Sequence, residues 1–179
     1  MTLEEAKGFY FRYSGHSFHM GREEPEKYRA FRQLSLSEET LKEWDEELLE
    51  DLFAGMWADP QRVWIVHESI LSILRRERCD TKRYGERLFK EMEKMDRLDQ
   101  FQKVLILENM AGRNASMNDG GIFLFGKDPG SALKMNAVCE HLIASCGPLT
   151  DDRAREAVHR CRIACLKWGP VSVKEKERS

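Results

Sequence analysis

Two histidines near the N-terminus are the side chains whose spacing most directly suggests chemistry. His16 and His19 fall in a predicted loop, and imidazoles this close together in a loop can converge on one metal ion. A third ligand, such as Glu23 or Glu24, would be needed to complete the site. Phe18 between the histidines fits equally well with a loop that packs on the core. We therefore assign no metal and no cofactor, and we keep a metal-dependent enzyme built around His16 and His19 as one functional hypothesis.

Cysteines are a second possible source of metal ligands. They are Cys79, Cys139, Cys146, Cys161 and Cys165. The last four fall on two neighbouring predicted helices joined near Pro148. Because a helix rises ~1.5 Å per residue, Cys146 would lie roughly 11 Å from Cys161 along the axis, far beyond a zinc–sulfur bond of ~2.3 Å. We therefore expect free thiols that pack as small apolar side chains in a reducing compartment.

No residue pattern in the chain specifies catalysis. His67 and Glu68 are adjacent on a mostly apolar helix and could act as base and acid. Glu68 recurs as Glu108 forty residues later, which favours a structural role. The pair Gly120–Gly121 lacks the Lys-Ser/Thr that follows the glycines of a phosphate loop, and no nucleophile motif is present. We therefore predict no catalytic residue.

The segment 112–121, within the irregular glycine-rich stretch 112–130, is the best candidate for a binding site. Long irregular connections are uncommon in compact domains unless they are functional or disordered. The predicted binding residues are Arg113, Asn114, Asn118 and Asp119. They offer a guanidinium, two amides and a carboxylate to a partner. The alternative is a structural connection whose apolar run, 122–125, plugs one end of the core.

Charge is unevenly distributed although the formal net charge is only -2. Residues 38–51 hold eight acids against a single lysine, Lys42. Basic residues form a first patch at Arg75, Arg76, Arg78, Lys82 and Arg83, and a second at Arg153, Arg155, Arg160 and Arg162. The net charge argues against a surface made wholly for nucleic acid, yet the two arginine patches keep nucleic-acid binding open as an alternative function.

Helix-start signals and apolar periodicity predict an all-α chain of about seven helices. Thr2 with Glu5 fits a capping box, Pro25 suits a first turn, and Ser37 caps a longer helix. A loop is predicted from Ser14 to Glu24, and Ser131 is predicted to cap the helix after the irregular segment. The residues predicted to be buried on the two most apolar helices are Trp64, Ile65, Val66, Ile70, Leu105, Ile106, Leu107 and Met110.

The sequence also echoes itself at a spacing of 40 residues. Residues 44–49 correspond to residues 84–89, and Asp59 corresponds to Asp99. A period of about 40 is typical of stacked helix pairs, each of which buries its apolar face only against its neighbours. Residues 44–111 thus resemble HEAT or armadillo repeats. The resemblance implies a short α-solenoid of antiparallel hairpins whose second helices line the concave side, and it carries over no catalytic residue.

Composition completes the sequence-based hypothesis. The chain is 41% hydrophobic and 34% charged, has no apolar run long enough to span a membrane, and begins without a signal pattern, so we predict a cytoplasmic protein. We divide its single domain into N-terminal helices and loop (1–36), two repeat-like hairpins (37–111), an irregular loop (112–130), a C-terminal hairpin (131–170) and a tail (171–179). HEAT-like folds mostly bind macromolecules, which favours a non-enzymatic protein–protein interaction module, such as an adaptor or an immunity or antitoxin-like scaffold, whose partner is another protein.

Overall fold

A computed structural model describes residues 1–111 and 129–168, and within them it shows nine α-helices, two short 3₁₀ helices and no strand. The α-helices are α1 (Leu3–Arg12), α2 (Ser17–Glu23), α3 (Pro25–Gln33), α4 (Glu38–Gly55), α5 (Val63–Leu74), α6 (Thr81–Met92), α7 (Gln100–Ala111), α8 (Pro129–Ser145) and α9 (Asp152–Trp168). The 3₁₀ helices span Pro60–Arg62 and Met95–Arg97. The prediction of an all-α fold is confirmed.

Local capping signals account for most of the helix starts. The Thr2 hydroxyl accepts from Glu5 N at 3.2 Å while the Glu5 carboxylate accepts from Thr2 N at 2.7 Å, which is a complete capping box. Ser37 Oγ accepts from the backbone of α4 at 3.1 Å. The repeated aspartates both act as caps, because Asp59 accepts from Gln61 N and Asp99 accepts from Gln102 N. These starts follow from the sequence alone.

The loop predicted from Ser14 to Glu24 is wrong, since most of it forms helix α2. The chain reverses at Ser14 and Gly15, whose φ angles are 47° and 66°. A side chain at Gly15 would meet the Tyr10 ring at 2.3 Å, so only glycine fits this turn. Met20 is then buried against the core. Packing of Met20 against the core stabilises the helix. The segment is too short to show a periodic pattern from which this helix could be predicted.

Two further details of the predicted elements need correction. Helix α8 begins at Pro129, so Ser131 lies within its first turn and does not cap it, and the irregular segment predicted to end at residue 130 ends earlier. Proline suits a first helical position because its missing N–H would be unpaired there. The predicted number of about seven helices is also too low, partly because α2 forms within the predicted loop.

Helix α7 lies at the centre of the fold. It packs against α5, α8 and α9, and this explains why eight of its twelve residues are buried. Ile70 on α5 and Leu105, Ile106, Leu107 and Met110 on α7 are buried as predicted. One continuous apolar cluster extends from α1 to α9.

The prediction that Trp64, Ile65 and Val66 are buried is wrong. Ile65 is 37% exposed, and Trp64 and Val66 are only partly buried. The buried positions on this part of α5 are Val63 and His67. Helix α5 packs mainly against α4, α6 and α7 and has no counterpart to α9, the helix that covers α7, among the described elements. Equivalent positions of the sequence echo therefore differ in burial.

Side-chain contacts show that alternate helices lie side by side in the same direction. Glu38 at the start of α4 pairs with Arg78 just before α6 at 2.9 Å, Glu50 pairs with Arg87 at 2.6 Å, and Trp57, beyond the end of α4, bonds to Glu91 at 2.6 Å. Both residue numbers rise together, so the two helices are parallel. The same holds for α6 and α8, where Glu86 faces Lys134 and, further along, Asp96 faces His141.

The intervening helices form a second parallel set. From α5 to α7, Gln61 faces Gln102 and His67 faces Asn109, at separations of 41 and 42 residues. From α7 to α9, Gln100 donates to the carbonyl of Pro148 just before α9 at 2.9 Å, and further along Glu108 pairs with Arg153. These contacts support the stacking of three helical hairpins, although the HEAT-like solenoid itself stays a prediction. None of the described helices is long and apolar enough to cross a membrane.

A buried charge cluster joins the N-terminal helices to this stack. Asp45 on α4 is fully buried, and its carboxylate accepts a hydrogen bond of 2.6 Å from the Tyr10 hydroxyl on α1. Arg76 pairs with the same oxygen and also donates to the carbonyl of Ser14. Arg78 lies 3.4 Å from the second oxygen. This Asp45 cluster (Tyr10, Asp45, Arg76 and Arg78) links α1, the turn after α1, α4 and the α5–α6 connection.

Replacing Asp45→Asn is expected to lower the free energy of unfolding by about 3–5 kcal/mol, because it leaves the guanidinium of Arg76 without its anionic partner in a largely buried place. Glu47→Gln is the matched control. It removes the exposed Lys7–Glu47 pair, 2.6 Å long, between α1 and α4. This loss is expected to cost less than ~1 kcal/mol. Urea unfolding measures both, and equal losses would contradict the assigned role of the cluster.

Candidate functional site

The groove between α6 and α8 is the feature of the described residues best suited to binding. Its volume is about 750 Å³. Phe89 and Val138 form an apolar floor, and the small exposed Ala137 leaves the space above the floor unfilled. The walls carry charges of both signs, from Glu86, Lys90, Glu93, Lys134 and His141. A partly apolar floor with a polar rim is the usual anatomy of a protein interface.

Charged pairs bridge the groove at its two ends. Glu86 and Lys134 lie 3.8 Å apart at one end. Asp96 and His141 lie 3.7 Å apart at the other, and this pair attracts only when the imidazole is protonated. Both pairs are exposed, so each contributes little to stability. Their effect is to set the length of groove that remains open between them.

The first hypothesis from the sequence concerned a metal site at His16 and His19. The two imidazoles do come together, with ring centroids 4.6 Å apart. Burial of His16, followed by the charges of His19 and Arg76, lowers its pKa. The proposed third ligands are engaged elsewhere, however: Glu24 pairs with Arg12 and with other neighbours, and Glu23 with Arg22. Within the described part of the chain, no three His, Cys, Asp or Glu residues are grouped to hold a metal ion.

The arginines proposed for nucleic-acid binding are largely taken up by acids of the same chain. Arg76 and Arg78 turn inward to the Asp45 cluster, so the tip between α5 and α6 presents less positive charge than the sequence suggests. Arg153 makes two hydrogen bonds to Glu108, of 2.7 and 2.8 Å. Further pairs join Arg155 to Asp152 and Arg162 to Glu140. Arg75 remains exposed.

Four of the five cysteines are buried thiols. Cys79, Cys139, Cys146 and Cys161 form no disulfide. Burial, with smaller effects from Asp45 and Glu46, raises the pKa of Cys79 to about 11. Burial likewise raises the pKa of Cys146. Thiols of this kind react slowly at neutral pH because the nucleophilic thiolate is scarce.

The acid–base pair suggested at His67 and Glu68 does not share one environment. His67 is fully buried and Glu68 is exposed. Asn109 Nδ2 lies 3.5 Å from His67 Nδ1 and donates to the carbonyl of Trp64 at 3.0 Å. Burial lowers the pKa of His67 to about 3, so the imidazole is neutral and a poor proton-transfer group near neutral pH. Its role is structural, in the contact between α5 and α7.

The lowered pKa of His67 predicts a specific loss of stability in acid. In the unfolded chain the imidazole binds a proton near pH 6.5, whereas in the folded chain it does so only near pH 3. The unfolded state therefore holds more protons between these values, and the free energy of unfolding falls as the pH drops from 6.5 towards 3. In urea unfolding at a series of pH values, His67→Gln should flatten this fall. The exposed-site control His159→Gln should leave it unchanged, and a parallel change in both variants would refute the assignment.

The candidate site predicted from the sequence and the candidate site seen in the structure consist of different residues. Arg113, Asn114, Asn118 and Asp119 lie outside the described residues, so the recognition loop stays a prediction. Sequence reasoning missed the groove residues, because Glu86 and Lys134 are 48 positions apart and do not follow the 40-residue echo. The local signal that sequence reasoning could have used is a small residue, Ala137, between Lys134 and His141 on the predicted helix.

Comparisons with known proteins found no similar chain: no family model matches, and neither the curated proteins nor the solved structures contain a match. Any functional conclusion therefore depends on the groove and its charges.

Proposed function

We propose that this chain is a non-enzymatic protein-interaction module that binds another protein through the groove between α6 and α8. The observation that carries the proposal is the groove itself, with an apolar floor at Phe89 and Val138 inside charged walls. Its volume of about 750 Å³ would be filled by several side chains of a partner. Filling it removes apolar surface from water, which is the main source of affinity in most protein associations.

The acidic helix α4 gives additional support to a protein partner. Several of its carboxylates are already paired, as in Glu50 with Arg87 and Glu38 with Arg78. Glu43 and Asp51 remain exposed on the same helix. Charges of one sign on an exposed helix speed the encounter with an oppositely charged surface and disfavour wrong partners. The class of role, whether adaptor, immunity protein or antitoxin, follows from the partner and is part of this proposal.

The alternatives have weaker support. Nucleic-acid binding would need free arginines, and Arg76, Arg78 and Arg153 are paired within the chain. A metal-dependent enzyme would need a third ligand beside His16 and His19, and the described residues supply none. The groove needs no such addition, which is why protein binding is the function we favour. A cytoplasmic location, inferred from the sequence, belongs to the same proposal.

Blocking the groove tests the proposal directly. Ala137 is exposed within it, so Ala137→Arg should fill the space without disturbing the core, and the expected result is loss of the partner at an unchanged melting temperature. Ala144→Arg is the matched control, because Ala144 is exposed on the same face of α8 two turns further on and does not line the groove. Affinity capture from cells that express the protein, with quantitative mass spectrometry, compares the three forms. Equal capture by all of them would refute groove binding.

The predicted recognition loop has its own test. Replacing Arg113 and Asp119 together by Ala should change stability by roughly 0.5 kcal/mol or less, as surface substitutions usually do, and should reduce capture of the same partner. Thermal unfolding and the capture experiment measure the two effects. Loss of stability with capture intact would show that the segment supports the core and that recognition depends on the groove alone.

A further inference from the structure

The middle of the α6–α8 groove contains two charged side chains that take no part in the ion pairs at its ends. Glu86 is bridged to Lys134 at one end, and His141 faces Asp96 at the other. Between these ends, Lys90 and Glu93 are both exposed and make no ion pair with any described residue. Among the described residues, Lys90 and Glu93 are therefore a cation and an anion without an ion-pair partner, one helical turn apart on the same wall of the groove.

Another groove among the described residues, between α1 and α3, lacks this property. It measures about 610 Å³ and has a comparable mixture of apolar and charged lining. Its charged side chains are already engaged: Arg12 and Lys27 with Glu24, Glu26 with Arg29, and Glu5 with the capping box of α1. Of these two grooves, the one between α6 and α8 therefore presents the unsatisfied charge pair.

The spacing of Lys90 and Glu93 discriminates between helical and extended occupants. Three residues along α6 correspond to ~4.5 Å. On a helix lying along the groove, residues three or four apart are separated by ~4.5–6 Å and share one face, so an acid and a base at that spacing reach both groups. An extended segment advances ~3.3 Å per residue and alternates its faces, so residues on one face recur only every ~6.6 Å. The helix fits the observed spacing better.

We infer that the occupant of the groove is an amphipathic α-helix of a partner protein that carries an acid and a base three or four residues apart. Its apolar stripe packs on Phe89, Ala137 and Val138, its acid pairs with Lys90, and its base pairs with Glu93. This inference rests on the proposed function, since it specifies the partner that the same groove binds. The pairs at the groove ends limit the contact to about two to three turns of that helix, the span from residue 86 to residue 96 at ~1.5 Å per residue.

Selection from a peptide library tests the charge pattern while the natural partner is still unidentified. The probe is a display library in which randomised positions lie on a fixed single-helix scaffold, alongside a second library of unstructured peptides of the same length. Wild-type protein should enrich helical peptides with an apolar stripe and one acid and one base at i, i+3 or i+4. Lys90→Glu should enrich peptides with two bases, and Glu93→Lys peptides with two acids, because each partner charge must complement the changed wall.

Affinity measurements then quantify the match. Fluorescence anisotropy should show that a peptide selected on the wild-type protein binds either charge variant about tenfold more weakly, and that the peptide selected on each variant restores the lost affinity. Both substituted positions are exposed, so the variants should remain folded, and thermal unfolding checks this. Binding of all selected peptides should be abolished by Ala137→Arg and retained by Ala144→Arg.

Each contrary outcome has a distinct meaning. Enrichment from the unstructured library only, enrichment with no charge preference, or no enrichment at all would overturn the helical partner while leaving groove binding by the natural partner intact. Peptides that bind Ala137→Arg as well as wild type would place recognition elsewhere. A concentration-dependent dimer in sedimentation velocity that Ala137→Arg abolishes would identify a second copy of this chain as the occupant and refute the inference. The proposed function itself is tested separately: it fails if Ala137→Arg captures the natural partner as well as the wild-type protein does.

Discussion

The burial of helix α7 is the constraint on which the rest of the structure depends. Its environment on most sides is formed by α5, α8 and α9, so its few polar side chains must find partners inside the protein. Lys103 donates to the last carbonyl of α8, that of Ser145, at 2.7 Å, and Gln100 donates to the carbonyl of Cys146 at 2.6 Å. Asn109 bonds in the same way to α5. These side chains fix where α5 and α8 lie along α7, because any sliding of the helices would leave a buried polar group unpaired.

The position of α8 along α7 in turn determines where the groove between α6 and α8 lies and that it stays open. Once the C-terminal end of α8 is held by α7, the remainder of α8 runs alongside α6 with Lys134 opposite Glu86. Ala137 then lies where a larger side chain would close the contact, and the groove remains open. The candidate binding surface is thus a consequence of how the hairpins stack, and the buried helix that stabilises the fold also positions it. A partner that fills the groove would complete the packing between α6 and α8.

The Asp45 cluster plays a corresponding part at the N-terminal end. It satisfies two arginines with one buried carboxylate and orders the turn at Ser14 and Gly15. An arginine bound in this way contributes to the architecture and is withdrawn from the surface, which lowers the positive potential at the tip between α5 and α6. In the proposed binding mode, recognition would therefore depend on shape and on a few local charges, such as Lys90 and Glu93, more than on a broad electrostatic field.

The amino-acid sequence by itself determined most of the helices, several of their caps and much of the core. Thr2 with Glu5, Ser37, Asp59 and Asp99 set helix starts through hydrogen bonds a few residues away, and apolar periodicity marked Ile70 and Leu107 as buried. Only the tertiary structure decided which faces are covered, and so it exposed Ile65, turned Arg76 inward, made a helix of the segment around Met20 and opened the groove at Ala137. The physical reason is the distance along the sequence between the residues that interact. Caps and helical hydrogen bonds join residues within about one turn, whereas burial and side-chain contacts depend on distant neighbours, as in the bonds of Trp57 to Glu91 and Arg76 to Ser14 across 34 and 62 positions, which no local pattern specifies.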